Sequence, residues 1–441
     1  MTVDVLNLEW SSAGRDREVV LPIQYYCEKI LGLSFRNECI FDYYYWLNRL
    51  QPKMLFIAST AGAKINVEAA RYATEHSIPV LTLVAEGNFV ADYLDQMLWG
   101  WKEPREFFES RLLLWSEKSR KMILGKYPGL AEKLSVSGSV GFDRYRYGRF
   151  QSRENLLKSV NKPYEHVIGI AGWGFDLYEG DRFEKNREML LGLYNMKEIE
   201  RFREDRKALR DVLHSIISKM KDTLFVLKFH PACIDKDLSE FEGLESFANT
   251  ITLHRGLDIA DCIAPCDLWV AYESTTALEA WLLNKEVILI NPSGPDFKRD
   301  QIFNGCTIVT EATDFIQKVE ELWRSGTIED FANKKEVRIR IITEVGQWFD
   351  GKNHMRVGDE IKEFLQGMDS QAQGPSFMEW LRGYIRHLRF WSAGLPIIGN
   401  LPYISTLREA NKRFSHVELE SKKQIVWQQL DEFYKKAKLS K

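Results

Sequence analysis

No stretch of this chain is apolar for the ~20 residues that a bilayer-spanning helix needs, and none of its cysteines stands in a CxxC pair. Cys27, Cys39, Cys233, Cys262, Cys266 and Cys306 are scattered, and the close spacing of Cys262 and Cys266 is followed by no Cys or His pair at zinc-finger distance. Free thiols in a reducing compartment are the expectation. Positive charge is not in excess: the formal net charge is -3, and nucleic-acid-binding domains favour a basic balance, so no nucleic-acid partner is expected. There is no repeat of fixed period, no low-complexity tract and no DxD motif beside a strand end. The opening MTVDVLNLEW carries acids and enters a strand pattern directly, unlike a signal peptide, so the expected location is cytoplasmic.

What is present suits two α/β domains of ordinary size: 441 residues, of which 45% are apolar. Short apolar runs at residues 3–10, 54–60, 80–87, 111–116 and 134–138 alternate with helical patterns at 19–31, 41–52 and 61–78. The runs are continuously apolar, as in a parallel sheet covered on both faces. The polar stretch 146–164, with Pro163, reads as a linker. A second series of strands opens with HVIGIAGWGFD at residue 166 and continues with TLFVLKFHP (223–231), TITLHRG (250–256), DLWVAYESTTALEAWLLNKEVILINP (267–292) and TIVTEA (307–312). The expected domains are therefore residues 1–150 and 164–367, followed by a helical tail at 376–441.

The second domain carries the chemistry. His230-Pro231 ends an apolar strand, because proline biases the residue before it away from helical geometry. The imidazole there is a donor to a phosphate, or else a turn-capping group. Lys228 lies two residues earlier on the same strand. Ser274, Thr275 and Thr276 open a helix, where free N–H groups hold an anion and where the same residues serve as caps. Glu279 is placed to accept ribose hydroxyls or to complement the helix dipole. Gly172, Trp173 and Gly174 follow the first strand; the glycines admit a phosphate or a tight turn, and Trp173 packs on a base or sugar. Arg255 is a further phosphate or carboxylate ligand. In the first domain, Glu86-Gly87 ends a strand, with Glu86 a candidate base or else a solvated loop acid, which spacing alone favours, and Asn88 beside it as an acceptor contact. The loop after the first strand offers Arg15, Asp16 and Arg17: the arginines for an acceptor, Asp16 as a substitute base.

With these residues in hand, the chain resembles a GT-B glycosyltransferase, with two Rossmann-like domains facing across a cleft and the tail left outside the resemblance. It is most similar to bacterial transferases that use CMP-activated sugars, of the Kdo transferase, sialyltransferase and polysialyltransferase type. The matching segments are Glu86-Gly87, His230-Pro231, Ser274-Thr275-Thr276, GSVGFDRY (138–145) and FDGKNHMRV (349–357), in the family's order. The family's acidic motif often has two acids before Gly, whereas Ala85 precedes Glu86 here. The resemblance implies that His230 and residues 274–276 bind the CMP phosphate, Glu279 the ribose, and that Glu86 deprotonates the acceptor. It implies a nucleotide-sugar donor, a glycan or lipid-linked glycan acceptor in surface polysaccharide synthesis, and no metal or other cofactor. Two alternatives stand beside it: a CDP-polyol phosphotransferase of the same fold, and a non-catalytic nucleotide-sugar-binding scaffold. The non-hydrolysing sugar epimerases share the fold too, but no equivalent of their paired acidic sites is evident in the first domain.

In the tail, Arg382, Arg386 and Arg389 recur at i, i+4 and i+7 among Trp380, Leu381, Tyr384, Ile385, Leu388 and Trp391. Such a helix either lies on the inner-membrane surface or packs on its own domain or a partner.

Overall fold

The computed structural model describes residues 3–12, 15–60, 63–84, 87, 90–100, 102, 105–160, 163–253, 257–294, 301–367, 374–395 and 405–439. The chain divides into two compact units, Met1–Gly148 with Thr343–Lys441, and Arg149–Ile342.

The first unit is built on six parallel strands: β1 (Val5–Glu9), β2 (Phe35–Cys39), β3 (Met54–Ile57), β4 (Val80–Leu83), β5 (Arg111–Leu114) and β6 (Leu134–Val136), in the order β2-β1-β3-β4-β5-β6. Side chains alternate between two cores. Val5, Met54, Phe56, Leu81 and Leu113 meet one group of helical side chains, and Leu6, Leu8, Leu55, Ile57 and Val80 meet another. The helices are α1 (Arg15–Tyr25), α2 (Tyr43–Leu50), α3 (Lys64–Glu75), α4 (Leu94–Trp99), α5 (Glu117–Lys126) and α6 (Arg144–Tyr147).

The second unit carries α7 (Arg153–Val160), β7 (His166–Ala171), α8 (Gly180–Leu191), α9 (Met196–Lys219), β8 (Thr223–Lys228), β9 (Thr250–Leu253), α10 (Ile259–Ile263), β10 (Leu268–Ala271), α11 (Thr276–Leu282), β11 (Glu286–Ile290), β12 (Thr307–Val309), α12 (Ala312–Ser325) and α13 (Glu329–Asn333). The unit division falls inside α14 (Lys335–Gly346). Its sheet is also parallel, ordered β12-β11-β10-β7-β8-β9. Numbered from its own first strand, that is the 3-2-1-4-5-6 order of the dinucleotide-binding folds. The α/β class expected from the sequence is the one observed.

Four expectations are corrected. α7 forms inside the stretch read as a linker, at Arg153–Val160. β2, FRNEC, was not foreseen, because its Arg, Asn and Glu conceal a strand that is buried at four of five positions. Arg15, Asp16 and Arg17 form the first turn of α1 rather than a loop. The second unit ends near residue 342 instead of 367. The reason lies in α15 (Asn353–Gln366): its Val357 and Ile361 complete the core over Val5 and Phe56, and the Tyr26 hydroxyl donates to Asp359 at 2.9 Å. The tail helices α16 (Phe377–Ser392), α17 (Ser405–Arg413) and α18 (His416–Leu439) also belong to the first unit. All six cysteines are buried and none is in a disulfide. Among the described residues, no helix is long and apolar enough to cross a membrane.

Candidate functional site

In the second unit the direction of winding reverses between β7 and β10. Ligands of open parallel sheets bind outside the carboxyl ends of the strands at that reversal. Gly172-Trp173-Gly174 leaves β7 there, and residues 272–276 leave β10. β7 lies between β10 and β8, so the serine-threonine segment and His230 flank the glycine loop and do not sit on neighbouring strands.

The glycine loop and the histidine form one site. The Gly172 N–H donates to the Lys228 carbonyl at 2.8 Å. A Cβ on Gly172 would stand 3.0 Å from His230 N and from Lys228 O, so any side chain there would press on both strand ends. A Cβ on Gly174 would come within 3.4 Å of His230 Nδ1. The Ala232 N–H donates to His230 Nδ1 at 3.1 Å. With Nδ1 accepting, the neutral ring carries its proton on Nε2, so Nε2–H is a donor. His230 is half-buried and Pro231 exposed.

Buried groups that sequence reasoning missed support this loop. Glu240 Oε1 accepts the Trp173 N–H at 2.6 Å, while Oε2 is buried without a hydrogen-bond partner. Burial raises the Glu240 carboxyl to about 8, so it is protonated at neutral pH. Asp176 is fully buried, pairs with Arg182, and accepts the N–H groups of Ile234 (2.8 Å) and Asp235 (3.1 Å). It thereby ties the turn after the glycine loop to the turn after His230-Pro231. Asp205 on α9 accepts from the Tyr272 hydroxyl and from Ser293 Oγ (2.6 Å) beyond β10 and β11. A Ser-Glu-Phe-Glu run such as 239–242 offers no signal of this kind, because the partners lie more than sixty residues away.

Several candidates change role. Trp173, half-buried, stacks on Tyr178 at 5.3 Å and packs against Phe175, Phe202 and Tyr272. Lys228 is buried, and its ammonium donates to the Phe229 carbonyl at 3.2 Å. Ser274 Oγ accepts the Thr276 N–H at 3.2 Å, and Thr276 Oγ1 accepts from Trp269 Nε1 at 3.0 Å, so both hydroxyls are engaged internally. Thr275 is exposed. α11 is only seven residues long, which weakens the argument from its dipole. Glu279 lies on α11 and is 8% exposed. Arg255 lies outside the described residues.

In the first unit, Glu86 and Asn88 lie outside the described residues, as does the Arg15 side chain. Gly87 is described: a Cβ there would meet the Trp115 ring at 2.1 Å, which explains the glycine sterically. Asp16 is exposed on the first turn of α1. Arg17 is not offered to an acceptor: it is fully buried and its guanidinium bonds Glu9 at 2.9 Å. Despite that partner, burial holds the Glu9 carboxyl up at about 7. The segments 138–145 and 349–357, far apart in sequence, lock together. His354 N donates to Asp143 Oδ2 at 2.7 Å and its Nδ1 lies 2.8 Å from the same oxygen. Asn353 Nδ2 donates to the Ser139 carbonyl at 3.0 Å.

A surface hollow lined by Pro163, Tyr164, Lys221, Asp222, Ala248 and Asn249 lies at the amino ends of β7, β8 and β9, the edge of the second sheet opposite the glycine loop and His230.

No family model and no curated protein matches the chain. Solved structures do match over most of its length. S. aureus MnaA with UDP aligns at 12% identity over 85% of this chain and 100% of its own, with a TM-score of 0.52. UDP-GlcNAc 2-epimerase from Neisseria meningitidis bound to UDP-GlcNAc aligns at 12% identity over 81% of this chain and 99% of its own, with a TM-score of 0.51. A further UDP-N-acetylglucosamine 2-epimerase aligns at 12% identity over 85% and 98%, with a TM-score of 0.52. The likeness defines the class of fold, a GT-B-like pair of α/β domains with a C-terminal helical stretch added.

Proposed function

We propose that the chain is a nucleotide-sugar-dependent glycosyltransferase whose second unit holds the donor nucleotide. The observation that carries this reading is the meeting of the Gly172–Gly174 backbone with His230 at the winding reversal of a 3-2-1-4-5-6 sheet. His230 Nε2–H donates to a phosphate oxygen of the donor. As the bond from the anomeric carbon to that phosphate breaks, negative charge grows on the oxygen and the hydrogen bond strengthens, which lowers the barrier. Thr275, exposed beyond β10, supplies a second donor, and Glu279 accepts from the ribose. Glu86 takes the proton of the acceptor hydroxyl, with Asp16 as substitute, and Arg15 and Asn88 contact a glycan or lipid-linked glycan. The reading needs no metal, because preorganised donors neutralise the leaving phosphate.

The motif set favours a CMP-activated sugar of the Kdo or sialic-acid type. A second reading, a uridine nucleotide sugar, is favoured by the UDP and UDP-GlcNAc named for two of the structural neighbours. A thermal-shift panel with CMP, CDP, UDP and GDP separates them. A nucleotide at a hundred times its dissociation constant adds about 2.7 kcal/mol. CMP is expected to shift the melt; a shift by UDP alone moves the assignment to the second reading, and no shift by any nucleotide removes both. CDP-glycerol turnover would favour polyol phosphotransfer instead. His230→Ala is expected to lower transfer by about 10²-fold or more with EDTA-insensitive residual activity; binding without any turnover to lose would leave only a scaffold.

A further inference from the structure

α16 begins with a capping box, Ser376 Oγ accepting the Glu379 N–H and the Glu379 carboxylate accepting the Ser376 N–H at 2.8 Å. One face of it packs on the first unit. Gly383 sits against Tyr44, Tyr45 and Asn48, and His387 stacks on Tyr45 at 3.8 Å while bonding Asp42 at 2.5 Å. Glu379 bonds His76 at 3.1 Å. These residues, 379, 383 and 387, recur every fourth position and define the covered side.

The other side is apolar and exposed. Trp380 is 48% and Trp391 60% exposed, and Phe377, Met378, Ile385 and Leu388 are similarly bare. At 3.6 residues per turn these side chains span an arc of roughly 160°, and Arg389, Arg382 and Arg386 follow along one edge of it. All three arginines are exposed. α16 therefore carries three arginines against one glutamate, and that glutamate is held by Ser376 and His76. α17, which packs on α16, adds exposed Lys412 and Arg413.

We propose that α16 is a membrane-surface helix, seated with Trp380, Ile385, Leu388 and Trp391 in the headgroup region of an anionic bilayer while its Glu379–Gly383–His387 side anchors the first unit. Two tryptophans and a tyrosine beside a file of arginines match that interface, where amphipathic rings settle at headgroup level and cations meet lipid phosphates. A second copy fits less well: an isologous pairing would need an acidic file to meet the arginines, and α16 has none. The helix is about 24 Å long at 1.5 Å per residue, so it lies on the surface instead of crossing.

The test is co-sedimentation of the full chain with vesicles of phosphatidylcholine alone and of phosphatidylcholine with phosphatidylglycerol. The chain is expected to pellet with the anionic vesicles, and added salt is expected to weaken this. Arg382→Gln with Arg389→Gln should lower partitioning about thirtyfold, taking ~1 kcal/mol per arginine. Trp380→Ser with Trp391→Ser should abolish it. All four positions are exposed, so both variants should melt with the wild type, which a circular-dichroism melt checks. No pelleting with anionic vesicles would overturn the proposal. So would pelleting that neither variant changes, or tryptophan variants that turn a dimer into a monomer in sedimentation velocity. None of these outcomes depends on nucleotide binding, so this proposal and the glycosyltransferase reading fail separately.

Discussion

Glu240 shows how the loop at the winding reversal is held. Its carboxyl accepts the Trp173 N–H in a site dry enough to raise it from 4.5 to about 8. The sign of the pH effect follows. Between those two values the unfolded chain has released a proton that the folded chain retains, so the folded state loses stability as pH rises across the window, and the loss levels off above about 8. Glu240→Gln keeps an acceptor for the Trp173 N–H and cannot ionise. Its stability relative to wild type is therefore expected to improve from pH 5 to pH 8, measured as the difference in urea midpoints at the two values; a difference that stays constant would show that Glu240 is not held neutral. At this scale the sequence was partly legible. His230-Pro231 and the two glycines stand out because proline and glycine restrict or free the backbone in ways visible from the letters alone. Glu240, Asp176 and Asp205 do not stand out, because what makes them special is burial beside segments distant in sequence. Lys228 and Arg17 mislead for the converse reason. A cation near a strand end reads as a ligand for an anion, yet both are consumed by the interior.

Elements that meet across long sequence separations explain the two motif segments outside the sheets. The segment 138–145 and the start of α15 are joined through a buried Asp143–His354 pair, and His354 Nε2 reaches the Tyr434 hydroxyl of α18 at 2.9 Å. Both members of the pair are nearly inaccessible to water. Removing one partner of a buried pair leaves the other's polar atoms without compensation, at about 3 kcal/mol or more. His354→Ala is accordingly expected to lower the unfolding free energy by about 3 kcal/mol, seen as a fall in urea midpoint, without weakening the thermal shift by nucleotide proposed for the second unit. A variant with wild-type stability would remove the locking role. The resemblance drew attention to both segments, but placed 349–357 in the second domain. Only the packing of Val357 and Ile361 onto the first sheet corrects that, and a helical pattern does not announce which sheet it covers. β2 was illegible for a related reason: Asn37 is buried but satisfied, donating to Gln24 at 2.7 Å and accepting from Asn7 at 3.0 Å. The strand therefore lacks the apolar run that marks its neighbours.

At the scale of the molecule, the α/β class was readable because parallel strands covered on both faces are largely apolar, and eleven of the twelve strands among the described residues stood out from the sequence. The assignment of the tail was not readable. α18 lies along α1, with the Tyr25 hydroxyl donating to Asp431 at 2.6 Å and the Tyr25 ring stacked near Tyr434 at 5.6 Å. Leu419 and Leu430 are buried there, and Ala410 of α17 is buried as well. α16 covers Tyr45 and Asn48 of α2. A chain ending at residue 375 would bare these surfaces, which belong to the first unit alone, and would leave Tyr25 and His354 without their tail partners. The first unit is then expected to melt earlier or to aggregate, because several buried apolar side chains are lost together at about 1.5–3 kcal/mol each. Residues 376–441 group with the first unit and not with the second. The transition of the second unit, and the shift a nucleotide gives it, should therefore survive the truncation. Differential scanning calorimetry of the full and shortened chains, each with and without CMP, reads both transitions. If the shortened chain kept the first transition unchanged, the tail would be an attached appendage; if it lost the nucleotide shift too, the proposed donor site would depend on more than the sheet from β7 to β12.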